Sequence, residues 1–248
     1  METWIRRLGK LQDSIENKGL KQTFADQVAV RLPRSSLRRA LGDESLSPLE
    51  CFSRDGYNDV LCRNHALTPN DRVLVLGGYL GESTARWVAR YGVSVDVVEP
   101  IGDFADKLRR RFQSESRVTV WELAVSKEGE EMRLTPDADA TGAFLARPDT
   151  PGVTVSSRQF SRFWSELPVR PKLIEMNIEG GEYGVLDDAI DSGVIEEVNT
   201  WLIQFHQVAI DSDLNRALLR RSLRKTHSCS FAYDWVWERW DKDLALQE

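Results

Sequence analysis

The sequence predicts an α/β fold: a mostly parallel sheet with helices on both faces, preceded by a helical extension and closed by an antiparallel pair of strands. Three observations carry that expectation. Apolar runs and amphipathic stretches alternate between residues 72 and 223. One of those runs, residues 73–76, breaks abruptly into Gly77-Gly78-Tyr79-Leu80-Gly81. In the tail, Phe231, Tyr233, Trp235 and Trp237 fall at every second position, a strand period rather than a helical one.

Residues 1–45 read as a helical extension and residues 46–248 as the main domain. Trp4, Leu8, Leu11 and Ile15 recur at helical steps, with Ile5 widening the stripe. Leu20, Phe24, Val28 and Leu32 mark a second helix stopped by Pro33, and a third short helix ends at Gly42. This stripe is expected to pack on the domain or on a second copy, so the N-terminal helices are the expected route to a homodimer. Trp4 and Ile5 beside Arg6 and Arg7 also fit an interfacial membrane helix, the less favoured reading.

Residues 45–70 are polar and turn-rich, and Pro69-Asn70-Asp71 delivers the chain into the first strand, 72–76. Helix 82–91, strand 93–98, helix 104–113 and strand 118–121 follow. Such alternation implies a parallel sheet covered on both faces. Between 124 and 157 the rhythm breaks. Met132-Arg133-Leu134 reads as an edge strand, 137–151 as a long loop able to act as a lid, and 153–155 as a short strand. Ser156 is expected to cap a helix at 160–167. Alternation resumes with strand 172–178, helix 183–190, strand 200–205 and a basic amphipathic helix at 214–223.

Composition narrows the partners. A net charge of -6 is the opposite of the basic footprint of a general nucleic-acid binder. Lys107 with Arg109, Arg110 and Arg111 reads as a solvated helix face. Cys51, Cys62 and Cys229 form no close metal-type pair and leave one thiol over in any disulfide scheme, which fits a reducing, cytoplasmic compartment. No signal peptide is expected behind Arg6, Arg7 and Lys10, and no apolar run reaches the ~18 residues of a membrane span.

The glycine turn opens a βαβ nucleotide-binding unit, where a missing Cβ lets backbone approach a ligand. Glu99-Pro100 ends the next strand, with the acid at the ~20-residue spacing of a carboxylate that takes ribose hydroxyls. The dinucleotide pattern Gly-x-Gly-x-x-Gly fails, because matching its last two glycines to Gly78 and Gly81 leaves Leu76 at the first. Anchored instead on Gly77 and Gly81, the turn resembles the glycine loop of S-adenosylmethionine-dependent class I methyltransferases. That resemblance implies a Rossmann-like, seven-stranded sheet closed by an antiparallel C-terminal hairpin.

More narrowly, residues 55–206 resemble the FkbM family of methyltransferases. The likeness rests on Gly77 to Gly81 with Thr84, on Glu99-Pro100, on Ala124-Val125-Ser126, on Met176-Asn177-Ile178-Glu179-Gly180 with Glu182 and Leu186, and on Gln204-Phe205-His206. The chain departs from the family at Val75 (usually Asp), at Tyr79 (usually Asn), and at Glu175 and Asn177, where a lysine and an aspartate are usual. Around Ser157-Arg158 an expected Leu-Asp is also replaced. The resemblance implies O-methylation of a hydroxyl on a sugar or other small molecule. It implies that Gly77, Gly78, Tyr79, Gly81 and Thr84 cradle the methionyl and ribose parts of the cofactor. Glu99 and Pro100 would hold the ribose, and Glu122, Leu123 and Ala124 would read the adenine edge, although Leu123 serves equally well as core.

Ligands in open α/β sheets sit beyond the carboxyl ends of the strands. Glu99, Asn177, Glu179 and His206 are predicted to lie there, unlike His65 and His227. His206 is the first candidate for a general base, as a neutral imidazole near pH 7. Glu179 is the alternative base or the group that orients His206, and Glu182 reads as a first-turn helix acid. Asn177 argues against an aspartate-based metal site, so no metal is expected. Two rival readings follow from the departures and from the βαβ unit: a binding module that keeps the fold without the catalysis, and a nicotinamide-dependent oxidoreductase.

Overall fold

In the computed structural model, residues 46–136, 141–142 and 152–243 are described. The expected helices within 1–45 and most of the 137–151 loop lie outside the described residues. Two short helices, α1 (Pro48–Arg54) and α2 (Asn58–Leu61), lie within the passage expected to be polar and turn-rich. The alternating section follows as β1 (Arg72–Leu76), α3 (Glu82–Tyr91), β2 (Ser94–Val98), α4 (Gly102–Arg111) and β3 (Val118–Trp121). After it come β4 (Ala124–Ser126), β5 (Met132–Pro136), β6 (Thr141–Gly142), β7 (Val153–Val155) and β8 (Ser157–Gln159). The last section is α5 (Phe160–Glu166), β9 (Leu173–Met176), α6 (Glu182–Asp191), β10 (Thr200–Ile203), α7 (Ser212–Leu223), β11 (His227–Tyr233) and β12 (Trp237–Lys242).

The main sheet has seven strands in the order β11-β12-β10-β9-β1-β2-β3. β1 runs parallel to β2 and β9, and β10 runs parallel to β9. β12 is antiparallel to both β10 and β11. This is the Rossmann-like class I methyltransferase fold expected from the sequence. Its central strands are rich in Val and Leu because both faces are covered, so no polar alternation is needed.

Alternation along β1 instead sorts residues between two cores. Val73 and Val75 join Val95, Val97, Leu173 and Leu202 on the face covered by Trp87 of α3 and Leu108 of α4. Leu74 and Leu76 join Ile174, Met176, Trp201 and Ile203 on the face covered by α5, α6 and α7. Trp201 is fully buried there, and its truncation to Ala is worth roughly 3–5 kcal/mol.

One local expectation is corrected. Ser156 caps no helix: residues 157–159 form β8, parallel to β4, and α5 starts from Gln159 without a side-chain cap. The aromatic tail forms the expected antiparallel pair, β11 and β12, with Trp235 in the turn between them at φ 60°. Cys51, Cys62 and Cys229 are free thiols, and burial pushes Cys62 up to about 11 and Cys229 to about 12. Among the described residues no helix is long and apolar enough to cross a membrane.

Candidate functional site

The carboxyl ends of β1, β2 and β9 surround a cleft of about 50 Å³. Gly77, Glu99, Pro100, Asn177, Ile178 and Gly181 line it from the sheet side, and Met132 and Leu134 of β5 line it from the insert.

The glycine turn is built differently from the expectation. Gly77 (φ 90°) is pressed against the Asn177 backbone carbonyl, so the tips of β1 and β9 touch only because no Cβ intervenes. A Cβ on Gly78 would come within 2.5 Å of Val97 and 2.8 Å of Leu108, and one on Gly81 within 2.7 Å of Phe112. These two glycines therefore make room for α4 and its C-terminal turn. Of the three, Gly77 alone lines the cleft. Thr84 is fully buried with an unpartnered hydroxyl and is not among the residues that line the cleft. Tyr79 takes φ 45°, a conformation more usual for Asn, and packs its ring edge-on against Phe104 at 4.8 Å. Val75 is equally buried, and its register partner on β9 is Glu175. Two departures from the family pattern, Val75 and Glu175, are thus neighbours in the ladder and away from the cleft wall. Glu175 is held by the Trp87 indole N–H at 2.6 Å.

Among the described residues, Glu99 is the one carboxylate in the cleft lining, and it is 1% exposed. Its Oε2 accepts the Tyr79 amide at 2.8 Å and its Oε1 accepts the Ile101 amide at 2.9 Å. Burial raises its pKa above the ordinary value, and the amides of Ile101, Tyr79 and Gly78 draw it part of the way back. The acid at the end of β2 therefore ties its own strand to the glycine turn. Of the residues expected at the adenine edge, Ala124 lines the cleft and packs in one apolar cluster with Ile101, Leu134 and Val155. Leu123 belongs to the main core beside Leu76 and Val98. Glu122 is not among the cleft-lining residues and makes a 2.7 Å ion pair with Arg109.

A second cluster forms where β9 and β10 end. Asn177 lines the cleft, and its Oδ1 is buried without a hydrogen-bond partner. Glu179 follows at φ 52°, a strained value for a side-chain-bearing residue. Glu182, wholly buried, accepts the Ile178 amide at 3.0 Å and the Gly180 amide at 2.8 Å. The His206 ring lies between the two acids, Nδ1 at 2.9 Å from Glu182 and Nε2 at 3.3 Å from Glu179. Burial opposes a charge on this ring, but the carboxylates of Glu179 and Glu182 outweigh it and raise His206 to about 9. At neutral pH the ring is an imidazolium, not the neutral base expected. Glu182 is the residue sequence reasoning undervalued. Its signal was the Glu-Gly-Gly-Glu spacing, which leaves loop amides in need of an acceptor.

The donor set fits S-adenosylmethionine. Glu99 can accept from a diol, the apolar Val98, Pro100, Val125 and Leu134 can flank a flat ring, and the orphaned Asn177 Oδ1 can accept from an ammonium. Among the described residues no cluster of His, Cys, Asp or Glu suits a metal ion.

No protein-family model matches the chain, and no curated protein matches it. Several solved structures are similar. A fibrillarin/Nop5p complex aligns at 10% identity and TM-score 0.45 over 75% of this chain and 80% of that one. An rRNA methylase from Streptococcus thermophilus aligns at 10% identity and TM-score 0.43 over 80% and 98%. The precorrin-6y C5,15-methyltransferase from Geobacter metallireducens GS-15 aligns at 12% identity and TM-score 0.40 over 75% and 81%.

Proposed function

We propose that this protein is an S-adenosylmethionine-dependent O-methyltransferase acting on a hydroxyl of a sugar or other small molecule, in the manner of the FkbM family its sequence resembles. The observation that carries the reading is the cleft itself, with a buried carboxylate at the β2 tip and an unpartnered amide oxygen at the β9 tip. The antiparallel β12 between β10 and β11 supports this over a nicotinamide-dependent oxidoreductase, whose sheet is usually all parallel. Glu99 would hold the ribose and Asn177 the amino end of the cofactor. When bound, the cofactor supplies an electrophilic methyl group on a sulfonium.

The chain's own task is to place the acceptor oxygen and to take its proton. Both ring nitrogens of His206 face carboxylates, so the ring has no lone pair to offer. Glu179 is the proton acceptor in this proposal, and the imidazolium 3.3 Å away holds its carboxylate in place. Glu182 positions the ring. A well-placed base contributes ~100- to 10,000-fold. The word sugar comes from the family resemblance, and the net charge of -6 supports a partner other than nucleic acid.

One observation favours a second reading, a binding module that has kept the fold. Leu134 of the insert is 2% exposed and packs with Ile101 and Ala124, where the adenine edge would be read. Isothermal titration with S-adenosylmethionine separates the two. Wild-type protein is expected to bind, and Glu99→Ala to bind at least ~10-fold more weakly, the scale of one hydrogen bond to a charged group. Absence of wild-type binding would sink the enzyme reading. Unchanged affinity in Glu99→Ala would remove that residue from the site.

A further inference from the structure

The outward face of α7 is apolar where a surface helix is normally polar. Leu214 and Leu218 are 61% and 53% exposed, and Ile210, just before the helix, is fully exposed. They recur every four residues and, with exposed Ala217, stand opposite the buried stripe of Arg216, Leu219, Arg220 and Leu223. Single exposed leucines need no explanation, but a line of them along one helix does.

The charges flanking this line differ in sign at its two ends. Asp211 and Asp213 are exposed at the start, and Arg221, Arg224 and Lys225 are exposed at the finish. Among the described residues, neither Asp211 nor Arg221 makes an ion pair.

We propose that α7 is a self-docking face, on which a second copy of this chain lays its own α7 antiparallel about a twofold axis. A twofold axis sets residue i against j and j against i. Centred near Arg216, it places Leu214 against the partner's Leu218 and Asp211 against the partner's Arg221. The apolar line then meets itself and each acidic end meets a basic end. A parallel pairing would set like charges together. An anionic lipid surface would match Arg221, Arg224 and Lys225 but would repel Asp211 and Asp213 at the other end of the same line, so the second copy is the better occupant. One helix pair covers less than the ~1,200 Å² of a standard interface, which makes this a weak, concentration-dependent dimer. Pairing also bears on the site. The Ser212 hydroxyl at the helix start accepts the Val208 and Ala209 amides and so tethers the loop that follows His206.

Sedimentation velocity of the full chain over roughly two decades of concentration tests the proposal, with a shift from monomer to dimer expected. Arg221→Glu alone and Asp211→Arg alone should each weaken self-association at least ~10-fold. Their equimolar mixture should regain it, because the mixed dimer restores both ion pairs. Leu214→Glu combined with Leu218→Glu should stay monomeric. A wild-type chain that is monomeric throughout overturns the proposal, as does a dimer that survives the double glutamate variant or a mixture that fails to recover. Pelleting of the wild type, but not of the double variant, with phosphatidylcholine–phosphatidylglycerol vesicles would overturn it in favour of a lipid surface.

Discussion

Glu99 and Glu182 are both buried carboxylates at the carboxyl edge of one sheet, and each accepts two backbone amides in the structure. Among the described residues, Glu99 has those amides and no cation. Glu182 has a third partner, the His206 ring, which Glu179 touches from the other side. The difference decides what each can do. A carboxylate held by neutral dipoles alone keeps its charge at a cost and retains acceptor capacity for an incoming donor. One that already faces an imidazolium is spent on structure: it fixes a loop, a ring and the charge on that ring. In the proposed function, recognition falls to the β2 tip and proton handling to the tips of β9 and β10.

The largest effect should come from the structural member of the pair. Glu182→Ala removes the acceptor for the Ile178 and Gly180 amides and strips His206 of its shorter contact. A loss of roughly 3–5 kcal/mol in unfolding free energy is expected, as when one partner of a buried ion pair is deleted. Urea denaturation would measure it. A loss below about 1 kcal/mol would show that the loop is held by other contacts, and the contrast with Glu99 would collapse.

A smaller effect sharpens the same contrast through pH. His206 titrates near 6.5 when unfolded and is raised to about 9 in the fold. The stability it contributes is fully present below 6.5 and is lost as pH rises through about 9. Up to about 3 kcal/mol is at stake in that window. Glu99 carries the same sign in a lower pH window. Its raised folded pKa means that ionisation in the fold costs stability, a penalty that appears as pH climbs past the ordinary value of 4.5. Thermal melts from pH 6 to 10 should therefore show a decline in the wild type that His206→Gln flattens. Turnover offers a second arm: with Glu179 as base, the rate is steady from pH 7 to 8.5 and falls above about 9, where the imidazolium is lost. A rate that instead climbs to a plateau above 9 would return the base to neutral His206.

The fold was legible where the chain repeats one physical theme. Runs such as 73–76 and 201–203 are apolar because their strands are buried on both faces, and Gly77 ends the first. The insert was less legible, since β4 and β8 are three-residue strands whose pairing spans some thirty positions and leaves no local period. At the site, the sequence placed Glu99, Asn177, Glu179 and His206 at the correct edge. It missed what depends on contact. Gly78 and Gly81 look identical to Gly77 in sequence, and only the packing of Leu108 and Phe112 shows that they serve α4. The charge on His206 was equally hidden, because one acid facing it comes from the first turn of α6.

A third carboxylate completes the comparison from the exposed side. Glu122 was expected at the adenine edge, but its side chain is 44% exposed and pairs with Arg109, itself 44% exposed, at 2.7 Å. Water screens such a pair on both partners, so the pair contributes about 0.2–1 kcal/mol at most. Glu122→Ala should therefore change unfolding free energy and S-adenosylmethionine affinity by less than about 1 kcal/mol each, the smallest effect among the three acids. Titration calorimetry beside Glu99→Ala provides the internal scale. If Glu122→Ala weakened binding as much as Glu99→Ala does, the Arg109 pair would have to open when ligand arrives. Recognition would then extend beyond the β2 tip to the end of β3. Equal affinity with and without the side chain would confine it to the buried acid, whose amide contacts are already formed.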